Sequence, residues 1–530
     1  MKVSDVIVKC LEAEGVEYVF GIVGTEVLDL AESLSKSNQI QYVNVRHEQG
    51  ASFMADVYAR FAKKAGVCLS TLGPGATNLL TGLASANLDH SPVIALIGQA
   101  DVGRNHSESH QYVDIMKLCG PVTKWSTQIM DAQTVPTVIR KAFRTTQMEK
   151  PGSVAIVVPE NFLTQNVANQ PLPIQPLPES VPVMDTIQAA RTLIQNGRKP
   201  FIIIGNGVVR QEAHQELQTF INTLQAPVTH SFMAKGILEK EHASNYFTFG
   251  FKENDEVLPG IDEADLLITI GFDFVEQLPK DWNKRKIPVL HIDTVPAEIN
   301  EYYPVEVECV GNIRRTLQIL NRSELPAKPW NPYGNLKKRM INAYHINDHQ
   351  PKINNGSFTI EEIIHCIEKV SSENTIVLSD VGAHKVSIAR TYQPKKPNRL
   401  IISNGLASMG IAIPGSIGAK LACPNDPVIC ITGDGGALMN VAEIETAKRL
   451  GLSFIIIVLK DSMLKLEVQQ MTKQFGESYG VTFQNPNFVQ LAESFGIKGV
   501  QACNSTEFET VLTEALTTSN EPFLIEAVLS

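Results

Sequence analysis

The run Val428-Ile-Cys-Ile-Thr432, followed by Gly433-Asp-Gly-Gly436, constrains the fold more than any other stretch of the chain. An apolar segment ends there in a glycine-rich turn carrying a single acid, Asp434. Val441, Ile444, Ala447 and Leu450 then recur at three-residue steps, a helical pattern that Gly451 is suited to stop. A second apolar run, Phe454 to Leu459, leads to Asp461. Strand, helix and strand in this order make the repeating unit of a parallel sheet, in which neighbouring strands need a long crossover. The fold class is therefore α/β.

In such a unit Asp434 and Asp461 leave neighbouring strands at their carboxyl ends, the edge where open α/β sheets bind ligands. The glycines allow backbone N–H groups at the helix start to face an anion. Two adjacent acids suit a hard cation. Together these features point to a diphosphate held through Mg²⁺. Taken alone, the same glycines are equally those of a plain turn after a buried strand.

Composition narrows the class. The 530 residues are 43% hydrophobic and 19% charged, with a net charge of −10. That is a soluble globular balance with nothing to attract nucleic acid or an anionic membrane. No apolar run is long enough to span a bilayer. Met1 opens directly into an amphipathic pattern rather than a signal peptide. The eight cysteines are scattered without a CxxC pair, as expected of reduced thiols in a cytoplasmic enzyme.

Two proline-rich passages divide the chain. One runs from Gln170 to Pro178 with Pro182 beyond; the other joins Pro326, Pro329 and Pro332, with Pro351 after a short helical piece. They leave blocks of about 1–170, 185–322 and 356–530. In the first, Val3 to Ala13 is amphipathic, and Tyr18 to Gly21 is a strand entering the turn Gly21-Ile-Val-Gly24. The strand Ile40 to Val45 ends at Arg46-His47-Glu48, where a helix begins with Ala51, Met54, Ala55 and Tyr58 on its buried face. Val67 to Leu72 is a strand running into Gly73-Pro-Gly-Ala-Thr-Asn78. His106 and His110 stand at helical spacing, but no further cluster supports a metal there. In the middle block Phe201 to Gly207 ends in Gly-Asn-Gly, only a fragment of a dinucleotide fingerprint, so a Rossmann-like fold without a bound dinucleotide is expected.

Glu48 at a strand-to-helix junction, GPGATN at the next strand end, GDGG, and Asp461 placed 27 residues after Asp434 together resemble the thiamine-diphosphate (ThDP) enzyme family. The resemblance covers the whole chain and is greatest to acetolactate synthases of the flavin-independent, catabolic type. Ser379 to His384, Ser403 to Gly410, Gly271-Phe-Asp273 and His291-Ile-Asp293 add to it. It implies three doubly wound parallel-sheet domains: pyrimidine-binding over 1–170, central and Rossmann-like over 185–322, and diphosphate-binding over 356–530.

The resemblance also implies roles. Asp434 and Asp461 ligate Mg²⁺ through their side chains and Met463 through its carbonyl. Gly435 and Gly436 lie against the diphosphate, with Gly382 and His384 as further contacts. Met409 wedges under the cofactor and holds its rings bent, and the Ala407 carbonyl accepts from the 4′-amino group. Glu48 hydrogen-bonds a pyrimidine nitrogen and promotes loss of the thiazolium proton, the cofactor carrying the hard chemistry. Taken singly, each has a plainer reading: Glu48 as a first-turn acid favoured by the helix dipole, His384 as a core or surface histidine, Met409 as core filler.

All such enzymes decarboxylate a 2-oxo acid and differ in what the product then meets. Many decarboxylases carry paired histidines in the first block; here Ser109-His110-Gln111 has one, and Gln111 matches the synthases. Gly24-Thr25 lacks the acid that decarboxylases place after the first glycine turn. Both features favour carboligation. Lys460 replaces the asparagine usual before the second metal ligand, and a lysine there must point away from the cation. Glu467 stands where decarboxylases often have a catalytic glutamate; it is otherwise a solvated helix residue. The middle block lacks the arginine and aspartate run of flavin-containing synthases, so FAD is not expected. The expected activity is decarboxylation of pyruvate with transfer to a second 2-oxo acid, in a homodimer or homotetramer whose sites form between the first block of one subunit and the last block of its partner. The alternatives are a 2-oxo-acid decarboxylase, a carboligase with another acceptor, and a cofactor-binding protein without turnover.

Overall fold

The computed structural model describes residues 1–251, 254–332, 334–346 and 358–529; Pro351 of the second connector lies outside them. The strands are β1 (Tyr18–Gly21), β2 (Gln41–Asn44), β3 (Gly66–Ser70), β4 (Val93–Gln99), β5 (Trp125–Gln128), β6 (Val154–Pro159), β7 (Pro200–Ile204), β8 (Val228–His230), β9 (Asn245–Thr248), β10 (Leu266–Ile270), β11 (Val289–Asp293), β12 (Val305–Val310), β13 (Ile376–Ser379), β14 (Leu400–Ile402), β15 (Val428–Gly433), β16 (Ile455–Lys460), β17 (Lys498–Ala502) and β18 (Phe523–Val528). They form three six-stranded parallel sheets, ordered β2-β1-β3-β4-β6-β5, β12-β11-β10-β7-β8-β9 and β14-β13-β15-β16-β18-β17. The first and third sheets thus share one strand order. Strands such as β4, β6, β7 and β10 are buried along their whole length, which is why their sequences are near-continuous apolar runs.

By internal contact the chain forms two compact units. One comprises Met1–Leu177, Gly405–Gln501 and Glu514–Ala527; the other comprises Pro178–Asn404 with Ala502–Thr513 and the last residues. In the first unit the Val3–Ala13 helix lays Val3, Val6, Ile7, Cys10 and Leu11 into a core shared with β1, β3, β4 and β6. The Glu48–Ala62 helix is buried on nearly every side, because helices Pro74–Leu88 and Ala412–Ala422 pack against it. Gly418 makes the second packing possible: a side chain there would strike the Met54 carbonyl.

In the second unit the central sheet reads β9-β8-β7-β10-β11-β12, so its direction of winding reverses between β7 and β10. The turn Gly205-Asn206-Gly207 leaves β7 at that point. Its Gly207 N–H donates to the Gly271 carbonyl at 2.8 Å.

The structure departs from the sequence pattern in two places. The single helix expected after Gly436 is two, Asp434–Met439 and Glu443–Arg449. Asn440 interrupts them with a non-helical backbone, and its side-chain amide donates to the Gly410 carbonyl at 2.8 Å. His106 and His110 do not share a helix face; they lie exposed in turns between the Val102–Arg104 and Ile115–Cys119 helices.

Candidate active site

β15 and β16 run side by side in parallel, so Asp434 and Asp461 follow their carboxyl ends on one edge. Asp434 is 2% exposed and opens the Asp434–Met439 helix. Its Oδ2 accepts from the backbone N–H of Asp461 at 3.1 Å and of Ser462 at 2.7 Å, and its Oδ1 from Gly435 N–H at 2.8 Å. Burial, and then the Asp434 carboxylate, push the Asp461 carboxyl above its usual range. A cation between two such acids relieves both effects, and an oxygen set of this kind fits Mg²⁺. Met463 follows in a bridge to Thr482, which brings its backbone to the same edge. Lys460 does turn away: its Nζ lies 2.7 Å from Oε1 of the buried Glu526. Lys465 approaches instead, with Nζ 3.9 Å from Asp461 Oδ2.

Asn485 went unnoticed in the sequence. Its side-chain amide donates to Asp434 Oδ2 at 2.7 Å and to Ser462 Oγ at 3.1 Å. An Asn-Pro pair signals a turn but says nothing of where the turn lands. Met409 is brought to Gly435: a side-chain carbon on that glycine would stand 3.5 Å from the Met409 methyl. Ala407, two residues earlier, holds a left-handed φ of 53°. Gly436 is buried in the turn of the same helix.

Glu48 is the first residue of its helix and 7% exposed. Its Oε2 accepts from the Asn78 side-chain amide at 2.9 Å, and its Oε1 has no hydrogen-bond partner among the described residues. Gly75 of GPGATN flanks that free oxygen, and Gly73 of the same turn sits under the Gln111 carbonyl. Gln111 itself is exposed, with φ at 57°. The structure thereby gathers Glu48, Asn78 and the Gln111 loop around one turn. A buried carboxylate with one oxygen anchored and the other open fits a ligand's ring nitrogen.

Gly382 and His384 lie in the second unit, after β13 and at the start of the Ala383–Thr391 helix. His384 is buried, and desolvation pushes its imidazole down to about 4, so the ring is neutral. Its Nε2 is buried without a hydrogen-bond partner among the described residues. A vacant imidazole nitrogen at a helix start suits a phosphate oxygen. Glu467 is exposed on the Lys465–Phe475 helix, which buries none of its residues.

Residues 1–118, 187–320 and 380–527 match the domain families described as "Thiamine pyrophosphate enzyme", respectively N-terminal TPP binding domain, central domain and C-terminal TPP binding domain. The chain is 33% identical to a probable acetolactate synthase large subunit of Methanocaldococcus jannaschii, over 100% of this chain and 92% of the relative. It is 30% identical to an acetolactate synthase of Bacillus subtilis (97% and 90%) and 31% identical to the acetolactate synthase isozyme 3 large subunit of Escherichia coli (97% and 92%). No helix among the described residues is long and apolar enough to cross a membrane. Three matching domains in order and relatives spanning the full chain place it among the thiamine pyrophosphate enzymes, as a ThDP-dependent, acetolactate synthase-like enzyme.

Proposed function

We propose that the protein decarboxylates pyruvate and transfers the two-carbon unit to a second 2-oxo acid, with ThDP and Mg²⁺ as cofactors. The observation that carries this reading is the buried Glu48 carboxylate, anchored at Oε2 by Asn78 and open at Oε1. ThDP, when bound, supplies the carbon nucleophile that adds to the 2-oxo acid and accepts the electrons as CO₂ leaves. Glu48 holds a mobile proton at Oε1. Asp434, Asp461 and the Met463 carbonyl hold the metal, with Asn485 and two backbone N–H groups fixing the Asp434 carboxylate. The Gly435 and Gly436 backbone binds the diphosphate. Met409 and the Ala407 carbonyl orient the rings, and Gln111 faces the substrate.

FAD has no part in this reading. At the central switch point the Asn206 N–H, which a phosphate would need, donates to Glu276 Oε1 at 3.0 Å. Assembly as a homodimer or homotetramer is supported by apolar side chains left exposed in the first unit: Phe475 at 65%, Tyr479 at 88% and Met439 at 55%. Free thiols, most of them buried, accord with the cytoplasm.

Incubation with ThDP, Mg²⁺ and pyruvate, followed by NMR, is expected to yield acetolactate. Acetaldehyde as the main product would favour the decarboxylase alternative and overturn the synthase reading. Glu48→Gln is expected to lower turnover by at least about a hundredfold while ThDP affinity is largely kept.

A further inference from the structure

Glu443 has no part in the chemistry described so far, yet it sits directly beneath the residue on which that chemistry depends. It is 1% exposed and opens the Glu443–Arg449 helix, in the segment that follows GDGG. Its Oε1 accepts from the backbone N–H of Arg46 at 3.0 Å and of His47 at 3.1 Å, residues 397 and 396 positions away. Its Oε2 accepts from the Thr446 hydroxyl at 2.7 Å. Gly50 keeps the space clear, since a side-chain carbon there would lie 2.5 Å from Glu443 Oε1.

These two amides immediately precede Glu48. His47 is the N-cap of the Glu48 helix, and its own Nδ1 accepts from Gln49 N–H at 3.1 Å. A helix start presents unpaired N–H groups and a partial positive charge, and Glu443 brings an acceptor and an anion to both. The flanking contacts run the same way: Arg449 donates to the Asn44 carbonyl, and Asn440 lies 3.5 Å from Gln49 Oε1. The path from Asp434 through the Asp434–Met439 helix to Glu443 therefore ends on the backbone that aims Glu48.

We infer that Glu443 is a positioning residue: by holding the Arg46 and His47 amides it sets the direction of the Glu48 carboxyl. This rests on the role proposed above for Glu48. Glu443→Gln keeps an acceptor in place, Glu443→Asp withdraws it by one methylene, and Glu443→Ala removes it.

In apo protein, Glu443→Ala is expected to speed amide hydrogen exchange in the 44–50 segment roughly tenfold. In the loaded enzyme it is expected to slow deuterium exchange at C2 of bound ThDP, and kcat, by roughly tenfold to a hundredfold, with ThDP Kd and pyruvate KM within about threefold of wild type. Glu443→Gln is expected to restore both rates to within about threefold. If the alanine variant does not fold, Glu443→Asp carries the same expectation. Wild-type C2 exchange in the alanine or aspartate variant overturns the inference, as does a glutamine variant as impaired as alanine. Glu48→Gln separates the two readings. If it abolishes C2 exchange while the Glu443 variants match wild type, only the present inference falls; if C2 exchange survives in it, both fall.

Discussion

Three non-glycine residues near the proposed chemistry hold left-handed backbone: Gln111, Ala407 and Ser462, with φ of 57°, 53° and 59°. For an alanine this conformation costs about 1 kcal/mol, and such residues concentrate at functional sites. In the proposed site Ala407 contributes its carbonyl rather than its side chain. Ala407→Gly is therefore expected to raise stability by about 1 kcal/mol, seen as a higher urea midpoint at unchanged slope. A loss of that size would mean that the methyl packs. The left-handed turn at Ala407 has no local signal, because alanine carries none of the turn chemistry of glycine or asparagine; only the resemblance of Ser403 to Gly410 singles the residue out. Glu48 and Asp434 were legible for the opposite reason: an acid at the junction of a strand and a helix has few plainer explanations once several such junctions agree.

At the scale of elements, buried strands such as β1, β15 and β16 were readable to within about a residue, since burial demands unbroken apolar runs. The partly exposed β5, β12 and β17 carry no such run and were not read. The expected strand Phe454 to Leu459 is β16, Ile455–Lys460. The segment after GDGG was less readable, because three-residue spacing continues across the break at Asn440. Lys460 shows what an element alone cannot tell. Its place at the end of β16 beside the proposed metal site is unfavourable until β18 brings Glu526 alongside. Glu526 is 1% exposed and also accepts from Gln501 at 2.9 Å and Phe488 N–H at 3.1 Å. Lys460→Met strands that buried carboxylate, and a loss on the order of 3 kcal/mol is expected in denaturant unfolding. An unchanged midpoint would mean that Glu526 is satisfied by its neutral donors.

For the whole molecule, buried titratable groups set opposing pH dependences. Burial holds His384 down to about 4 and His230 to about 3, against a usual 6.5. The unfolded chain binds their protons first, so their contribution is intact above about pH 6.5 and is lost as pH falls toward 4. Burial raises Glu276 to about 7 from 4.5. Its contribution has the opposite sign, present at low pH and lost as pH rises through 7. His384→Asn should therefore flatten the acid side of the stability–pH profile, by up to roughly 3 kcal/mol between pH 6.5 and 4. A slope equal to wild type would show that His384 is solvated when folded.

By itself the sequence determined the α/β class, the most apolar strands and the ThDP family. These depend on hydrophobic period, on turn residues and on motif spacing, all of which are written locally along the chain. Only the tertiary structure decided that Asn485 orients Asp434, that Lys460 serves Glu526, and that Glu443 caps the start of the Glu48 helix. Each is a polar pairing between segments distant in sequence. Its partner is chosen by how sheets and helices stack, and no local pattern records that choice.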